Sequence, residues 1–413
     1  MNLRIYKNEK KCRSCSSSNL IEILRLGRQP LANNLPTAID KNCIKIPLTL
    51  MRCNKCGLIQ IKETVQPMKI FEEYLYLSSY SKALLQNAEK LVAKVVKKYK
   101  LNTETFVVEI GSNDGYLLQY YQKLGIGILG VEPASNIAEY ANNVKSIPTL
   151  NKFFNIETAN EILSKYKKAR IVHANNVMAH VAELHSILDG VKKILTHDGI
   201  FIVEVAYVKN MLNNAAFDSI YHEHLCYYSI KTINSLFKLH GLEIFDVEII
   251  NSHGGSLRVY ASHKSVCKKT SRYKKLEIAE LENGVNTKKI CLSFEKNVNE
   301  FRNELYITLS KIKSGNKNII CYGAPAKATV LFNFLKLNSK TIDYVVDNNH
   351  LKQSRYIPGT DIFITSPEII NTQKPDYIFI SAWNLAEEIL NDLKSYKNGG
   401  GKFIIPLPRL RII

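Results

Sequence analysis

The sequence has no apolar run near the roughly 20 residues that a membrane span requires. It also lacks the apolar core of a signal peptide, since the chain starts MNLRIYKNEKK. No internal repeat or low-complexity segment stands out among its 413 residues, of which 46% are hydrophobic and 23% charged. We therefore expect a soluble cytoplasmic protein with no membrane partner. Its length predicts two or three domains, because a single core rarely extends this far.

Acidic residues are scarce relative to basic ones, 37 against 56, which leaves a formal net charge of +19. Such a charge can indicate a nucleic-acid partner. The lysines, however, are scattered through a chain rich in Lys, Asn and Ile, and the densest stretches, 264–275 and 288–317, have the pattern of solvated helix faces and connectors. We therefore expect no nucleic-acid partner. A diffuse positive field would also favour a phosphorylated small substrate.

Two further motifs are missing, the G-x-G-x-x-G of dinucleotide sites and the H-E-x-x-H of zinc proteases. The chain has instead an apolar strand from Phe106 that ends at a glycine-containing turn, residues 111–115, followed by a helix pattern. The next apolar run ends at Glu132, whose carboxylate could chelate the two hydroxyls of a ribose. This order predicts a nucleotide-type pocket at the carboxyl ends of parallel strands.

A third apolar strand ends in polar residues at the same rim, with the sequence IVHANNV over residues 171–177. The candidate cofactor-binding residues are Glu109, Gly111, Asn113, Asp114, Gly115, Glu132, Asn175 and Asn176. His180 follows on a turn that faces the same crevice, and a surface or capping histidine is the alternative interpretation.

Four of the nine cysteines form a C-x2-C…C-x2-C quartet, Cys12, Cys15, Cys53 and Cys56. Two such pairs can meet as four thiolates around one tetrahedral zinc ion, and disulfides are the weaker explanation in a reducing cytoplasm. Four protein ligands leave no coordination position open, so we expect a structural zinc rather than a catalytic one. The other five cysteines are interpreted as small buried hydrophobic residues.

Apolar strands alternate with amphipathic helices in two blocks, which predicts an α/β protein. We expect a zinc-binding domain over residues 1–70, a doubly wound sheet with leading helices over 71–263, a helical connector over 264–316 and a Rossmann-like domain over 317–413. The expected strands are 46–51, 58–61, 106–110, 126–132, 170–174, 199–206, 243–249, 256–262, 318–322, 342–346, 377–381 and 402–405.

The densest ionisable cluster is Tyr221-His222-Glu223-His224. In an extended segment the two histidines would share one face and Tyr221 and Glu223 the other, although a loop would follow this only approximately. An imidazole that titrates near neutrality suits general-base chemistry. A solvent-exposed polar loop is the alternative.

Three other stretches could hold an oxyanion or phosphate. The first reads HGGSLR and offers His253, Ser256 and Arg258, with a glycine bulge in a strand as the alternative. The second stretch, YGAPAK, is a strand-to-helix turn with the candidate substrate contacts Tyr322, Gly323, Ala324 and Lys327. The third stretch follows the next strand, and its candidates are Asp347 and Lys352.

Residues 109–115 resemble the first motif of class I S-adenosylmethionine (SAM) methyltransferases. Together with the cysteine quartet, NNV…H, YHEHL, HGGSLR and YGAPAK, they make the whole chain similar to the sugar C-methyltransferases that act on nucleotide-linked 4-keto-deoxysugars. That resemblance implies a zinc-binding domain, a SAM-binding domain and a Rossmann-like domain, with substrate between the last two. It also implies that His224 is the base, with Tyr221, Glu223 and His180 around it. The chain departs from the family's usual Asp-Asp-Asn, since it has Val346-Asp347-Asn348.

We therefore expect SAM-dependent methylation of the carbon alpha to the ketone, at C3, of a dTDP-linked 4-keto-deoxysugar. We count His222 among the substrate contacts, and expect a monomer or weak homo-oligomer. A sugar O-methyltransferase and a zinc-containing nucleic-acid-binding methyltransferase are the alternatives. An enolate needs both a base and an oxygen donor, whereas O-methylation needs only a deprotonated hydroxyl, and the ionisable cluster exceeds that need.

Overall fold

The structure is a computed structural model that describes residues 5–40, 42–71, 77–250 and 254–413. The strands of these ranges, in chain order, are β1 (Tyr6–Asn8), β2 (Leu20–Gln29), β3 (Ile46–Cys53), β4 (Ile59–Ile61), β5 (Glu63–Val65), β6 (Phe106–Ile110), β7 (Gly127–Val131), β8 (Thr149–Leu150), β9 (Ala169–Asn175), β10 (Leu195–Ala206), β11 (Cys226–Tyr227), β12 (Leu242–Ile250), β13 (Ser256–His263), β14 (Ile319–Tyr322), β15 (Val345–Val346), β16 (Arg355–Tyr356), β17 (Phe363–Thr365), β18 (Tyr377–Ile380), β19 (Lys402–Ile405) and β20 (Arg411–Ile412).

The α-helices of the same ranges are α1 (Met68–Phe71), α2 (Lys82–Tyr99), α3 (Leu118–Gln122), α4 (Ser135–Asn143), α5 (Ile156–Lys165), α6 (Leu184–Ile194), α7 (Val208–Asn213), α8 (Ile230–Leu239), α9 (Ser271–Glu282), α10 (Lys288–Ser314), α11 (Ala326–Leu335), α12 (Ile369–Gln373), α13 (Ala386–Asp392) and α14 (Lys394–Asn398). Short 3-10 helices lie at Ser78–Tyr80, Phe217–Ser219 and Trp383–Leu385. Within the described ranges, no helix combines the length and apolarity that a membrane crossing requires.

The N-terminal sheet has the order β11-β4-β3-β2, with every neighbouring pair antiparallel. β3 and β4 confirm the two expected runs, whereas β2 was not expected. β11 comes from the middle of the chain, and its Tyr227 lies opposite Ile59 of β4. The part of the chain that carries the cysteine quartet and the part that carries the predicted base His224 therefore share a sheet.

The middle sheet has the order β12-β13-β10-β9-β6-β7-β8. β10, β9, β6, β7 and β8 run parallel, and β13 is antiparallel to both β10 and β12. The central strand β6 is buried at all five residues and therefore on both faces, so it reads as a nearly continuous apolar run in the sequence. α2 begins where the Ser81 side chain accepts a hydrogen bond from the Leu84 amide, and it buries one face on this sheet.

The C-terminal sheet has the order β16-β17-β15-β14-β18-β19-β20, with five parallel strands between antiparallel edge strands β16 and β20. The expected connector is a pair of helices, α9 and α10, which separate at Gly284 with its positive φ of 61°. α10 buries its apolar face in a core that includes residues of the N-terminal, middle and C-terminal sheets. The predicted α/β class is confirmed, with mixed rather than wholly parallel sheets.

The packing of Phe217 fixes the start of the segment that contains the predicted base. Its side chain is fully buried and contacts Phe301 of α10 and Phe334 of α11, with ring centroids 5.8 and 5.0 Å away. Residues 217–228, which we call the catalytic segment because they include the predicted base His224, therefore run between the middle sheet and the C-terminal domain. A large aromatic side chain in a close-packed core leaves little freedom for the backbone that carries it.

Candidate active site

The glycine turn after β6 has a backbone that only glycine tolerates at two positions. Gly111 and Gly115 have φ values of 63° and 77°. A Cβ atom at Gly111 would lie 2.5 Å from Val177 Cγ2, and one at Gly115 would lie 2.6 Å from Ile147 Cγ1. The turn therefore approaches its neighbours as closely as a backbone can, which is what a loop that binds a nucleotide requires.

Glu132 holds this turn in place. Its carboxylate accepts hydrogen bonds from the backbone amides of Asn113 and Ala134, each at 3.0 Å. Burial raises the pKa of Glu132 to about 6, although both backbone amides lower it. Asn113 and Asp114 in turn accept hydrogen bonds from the amides of Ser78 and Ser79, at 2.9 and 3.1 Å. The 3-10 helix at 78–80 thus covers one side of the turn.

We call Glu109, residues 111–115, Glu132, Asn175 and Asn176 the cofactor edge, because they line the carboxyl ends of β6, β7 and β9. Among the described residues, both carboxylate oxygens of Glu109, Asp114 Oδ1 and Asn175 Oδ1 are buried without a hydrogen-bond partner. Burial, and then the charges of Asp114 and Glu132, raise the pKa of Glu109 well above its ordinary value. Buried acceptors normally have donors, so this set fits a ligand with cationic and hydroxyl groups, as SAM has.

His224 and Tyr221 form the centre of the catalytic segment. The backbone turns here, with the His224 amide 2.9 Å from Tyr221 O, and the Tyr221 hydroxyl lies 2.7 Å from His224 Nε2. His224 Nδ1 lies 2.9 Å from the carbonyl oxygen of Ser219. A carbonyl oxygen only accepts, so Nδ1 carries a hydrogen, and in the neutral imidazole Nε2 then keeps its lone pair.

The turn also corrects the expectation that His222 and His224 share a face, because a turn brings residues i and i+3 together. His222 points the other way and is 1% exposed, and its Nε2 donates to the carbonyl oxygen of Pro47 in β3, at 3.0 Å. His180 lies on the side of His224, with ring centroids 4.8 Å apart and the rings edge to face. Burial lowers the pKa of His180 to about 4, so this imidazole is neutral at physiological pH.

Glu223 is buried and reaches the N-terminal domain. Both of its carboxylate oxygens accept hydrogen bonds from the Asn33 amide nitrogen, at 2.8 and 2.9 Å. Burial raises the pKa of Glu223 to about 7, against the lowering effect of Asn33. Sequence reasoning did not find Asn33, since it lies 190 residues from Glu223 in a loop without a motif.

The C-terminal domain meets the catalytic segment at Asp218. This carboxylate is fully buried, and its Oδ2 accepts the indole N–H of Trp383, the one tryptophan in the chain, at 2.7 Å. The Lys327 ammonium lies 4.4 Å from the Trp383 ring centroid and hydrogen-bonds Asn384. Burial lowers the pKa of Lys327, and Asp218 opposes that effect. Asp218 and Trp383 had no signal in the sequence.

The YGAPAK turn is held closed by the residues after β15. Asp347 accepts hydrogen bonds from the amide of Ala324, at 2.7 Å, and Lys352 donates to Ala324 O, at 2.9 Å. The Tyr322 hydroxyl accepts a hydrogen bond from the Asn348 side chain, at 3.2 Å. Gly323 has a positive φ of 94°. Asp347 and Lys352 therefore shape the turn, and Lys327 extends from it toward Asp218.

The HGGSLR stretch is described only from Gly254 onward, so the predicted contact His253 lies outside the described residues. Gly255 has a φ of 106°, and a Cβ atom there would collide with Asn210. Ser256 is fully buried. Arg258 is 7% exposed inside the sheet and pairs with Glu204 and Glu248, at 2.9 and 3.6 Å. The predicted substrate contact Arg258 is therefore already paired with two carboxylates of the protein.

The four predicted cysteines come together at two turns of the N-terminal domain. Their sulfur atoms all lie within 4.8 Å of one another, with Cys12 and Cys56, and likewise Cys15 and Cys53, 3.5 Å apart. Tetrahedral zinc with Zn–S bonds of about 2.3 Å separates its thiolates by about 3.8 Å. The quartet therefore fits zinc with four protein ligands and no open position.

Three family models match successive parts of the chain: a zinc binding domain over residues 12–71, a methyltransferase domain over 80–247 and a C-methyltransferase C-terminal domain over 251–408. Among known proteins, the chain is 32% identical to the C-methyltransferase NovU of Streptomyces niveus over 406 residues, which are 98% of this chain and 96% of that protein.

Solved structures resemble the middle of the chain. A SAM-dependent methyltransferase from Clostridium acetobutylicum ATCC 824 is 12% identical to this chain, with a TM-score of 0.36. The match covers 44% of this chain and 92% of that protein. The CcbJ methyltransferase of Streptomyces caelestis is 12% identical to this chain, with a TM-score of 0.35, and the match covers 48% of this chain and 97% of that protein. Likenesses this weak carry no argument by themselves.

The fold and the matched domains define a SAM-binding methyltransferase with a zinc-binding N-terminal domain. More particularly, the chain belongs to the C-methyltransferase family that includes NovU, which confirms the resemblance drawn from its motifs. It is a SAM-dependent C-methyltransferase.

Proposed function

We propose that this C-methyltransferase methylates the carbon alpha to the ketone, C3, of a dTDP-linked 4-keto-deoxysugar through an enolate. The observation that carries the proposal is the Tyr221–His224 pair, with Nε2 of His224 as a lone-pair nitrogen 2.7 Å from a phenol. A carbon nucleophile needs both a base and a donor for the developing oxygen charge, and this pair offers both.

In the proposed reaction the Tyr221 hydroxyl first turns its hydrogen away from His224 Nε2, and the freed lone pair of Nε2 then removes the alpha proton. The Ser219 carbonyl stabilises the resulting imidazolium, because it already accepts the Nδ1 hydrogen at 2.9 Å. Once Nε2 is protonated it donates to the Tyr221 oxygen instead of accepting from it. The Tyr221 hydrogen is then free to bond the enolate oxygen. Glu223 and His180 complete the catalytic group, His180 as a neutral neighbour of the base.

The cofactor edge would hold SAM, which supplies the methyl group when bound. We assign the ribose hydroxyls to Glu132, whose position after β7 matches that role. Glu109, Asp114 and Asn175 would offer their partnerless buried oxygens to the cationic end of the ligand. Asn113, Asn176, Gly111 and Gly115 shape the backbone around it. This part of the site orients its ligand, which is what an in-line transfer requires.

The acceptor would lie between the middle sheet and the YGAPAK turn. Lys327 is the residue there whose charge suits a diphosphate, and Tyr322, Gly323 and Ala324 form the turn beside it. In this proposal Asp347 and Lys352 maintain the conformation of that turn through their hydrogen bonds to the Ala324 backbone. Ser256 and Arg258 would lie at the edge of the same crevice, and Arg258 would need to be shared with Glu204. His222 points away from this crevice toward Pro47, so we leave it out of the proposed substrate contacts.

The proposal is tested by incubating the zinc-containing protein with SAM and a panel of NDP-4-keto-deoxysugars, followed by NMR of the product. We expect a new methyl group bonded to the ring carbon beside the ketone. An O-methyl signal would instead establish sugar O-methylation. Submicromolar, salt-sensitive binding to random DNA or RNA, without competition by nucleotide sugars, would support a nucleic-acid function.

A further inference from the structure

The loop between β2 and β3, residues 30–45, brings a side chain of the N-terminal domain to the catalytic segment. Asn33 Nδ2 lies 2.8 and 2.9 Å from the two oxygens of Glu223. Glu223 is 5% exposed, whereas Asn33 is exposed to solvent. The Asn33 amide thus donates to a carboxylate that burial would otherwise leave poorly solvated.

Other contacts fix this loop from the opposite side. Backbone carbonyls of Ala32 and Leu35 accept hydrogen bonds from the side chains of Thr329 and Arg355, both at 2.9 Å. The carbonyl of Pro36 accepts the amide of Tyr356, at 2.8 Å. The loop therefore docks on the C-terminal domain, and its position also depends on β2 and β3, which belong to the zinc-binding fold. Residues of the N-terminal and C-terminal domains therefore fix the position of Asn33, which hydrogen-bonds Glu223 of the middle domain.

Three ionisable side chains, Tyr221, His222 and His224, lie next to Glu223 in the sequence, and the loop reaches it with the uncharged Asn33. Burial raises the pKa of Glu223 to about 7 and the Asn33 hydrogen bond lowers it, with no charged side chain among its causes. Among the described residues, Asn33 is therefore the group from another element that favours the ionised carboxylate.

We propose that Asn33 is a positioning residue that orients Glu223 and favours its ionised form, so that the zinc-binding domain completes the active site. This proposal rests on the proposed function, because the catalytic role of Glu223 belongs to it. The zinc ion would then serve catalysis only through the position of the loop, with no chemical step of its own.

The experiment compares Asn33→Ala and Asn33→Asp with Asn34→Ala, since Asn34 is the adjacent exposed asparagine. The readout is the pH dependence of methyl transfer to the accepted NDP-sugar. In wild type one limb of the profile should lie near the pKa of Glu223, about 7. Asn33→Ala removes a stabilising donor and should move that limb upward by roughly one pH unit. Asn33→Asp should move it further, because two carboxylates repel, and Asn34→Ala should leave it in place.

Zinc content and SAM affinity are measured on every variant. The proposal holds if both stay at wild-type values while the limb moves in Asn33→Ala and Asn33→Asp alone. It is overturned if an active Asn33→Ala enzyme keeps the wild-type profile, or if that variant loses zinc or SAM, since Asn33 would then serve folding. A wild-type enzyme inactive toward every NDP-sugar contradicts the proposed function instead, which separates the two failures.

Discussion

The cofactor edge and the catalytic segment are built in different ways. The hydrogen bonds that fix the glycine turn come from nearby parts of the same domain, Glu132 and the amides of Ser78 and Ser79. The catalytic segment is held by residues of the other two domains, Asn33 on one side and Trp383 on the other. SAM binding should therefore survive changes that disable proton abstraction, and the reverse should also hold.

The strongest change at the catalytic segment is His224→Asn, which removes the proposed base. We expect the rate of methyl transfer to fall by about 1000-fold or more, in the range of general-base contributions. The dissociation constant for SAM, measured by calorimetry, should stay within about twofold because the contacts of His224 described above, with Tyr221, Ser219 and His180, lie outside the cofactor edge. A parallel loss of SAM affinity would break the distinction between the two regions.

Removal of the zinc should damage the catalytic segment from a distance. We expect Cys53→Ala to reduce the metal content from about one zinc per chain to none. The thermal midpoint should fall by roughly 10 °C or more, because metal binding contributes to folding. Elemental analysis and thermal unfolding provide the measurements. Cys43→Ala, a cysteine outside the quartet, is the matched control and should keep its zinc.

Glu132→Gln tests the cofactor edge. Loss of the carboxylate that we assign to the two ribose hydroxyls should weaken SAM binding by roughly 10- to 100-fold, from the ordinary strength of charged hydrogen bonds. The maximal rate at saturating SAM should change little. Glu139→Gln, on the exposed face of α4, is the control. A fall in the maximal rate with unchanged SAM affinity would assign Glu132 to the catalytic step.

Trp383→Phe keeps the ring beside Lys327 but removes the N–H that Asp218 accepts. The buried carboxylate loses a donor, so we expect the maximal rate to fall by roughly 5- to 30-fold, with SAM affinity unchanged. Steady-state kinetics and calorimetry measure the two quantities. An unaltered rate would mean that the C-terminal domain does not position the catalytic segment through this contact.

The smallest expected effect concerns pH. The pKa of Glu132 is raised to about 6, so the carboxylate is ionised at pH 7 and becomes protonated as the pH falls through 6. SAM affinity should therefore drop by about tenfold between pH 7 and 5, for one required ionisation. Calorimetric titrations across this range should show the drop in wild type and not in Glu132→Gln.

The same contrast explains what the sequence could predict. Strand β6, its glycine turn and Glu132 lie within 27 residues of one another, counting from Phe106 to Glu132, so a local motif identifies them. The cysteine quartet is equally local in its two pairs. Asn33 and Trp383 are 190 and 165 residues from their partners, and neither belongs to a motif. The pairing of β11 with β4 depends on tertiary packing for the same reason.

The most direct test of the central claim is solvent exchange at the substrate carbon. The wild-type enzyme is incubated in deuterated water with the accepted NDP-4-keto-deoxysugar and S-adenosylhomocysteine in place of SAM, and the sugar is followed by proton NMR. We expect the signal of the proton alpha to the ketone to disappear at an enzyme-dependent rate that His224→Asn abolishes. Persistence of that signal with an enzyme that still methylates the sugar would contradict the account.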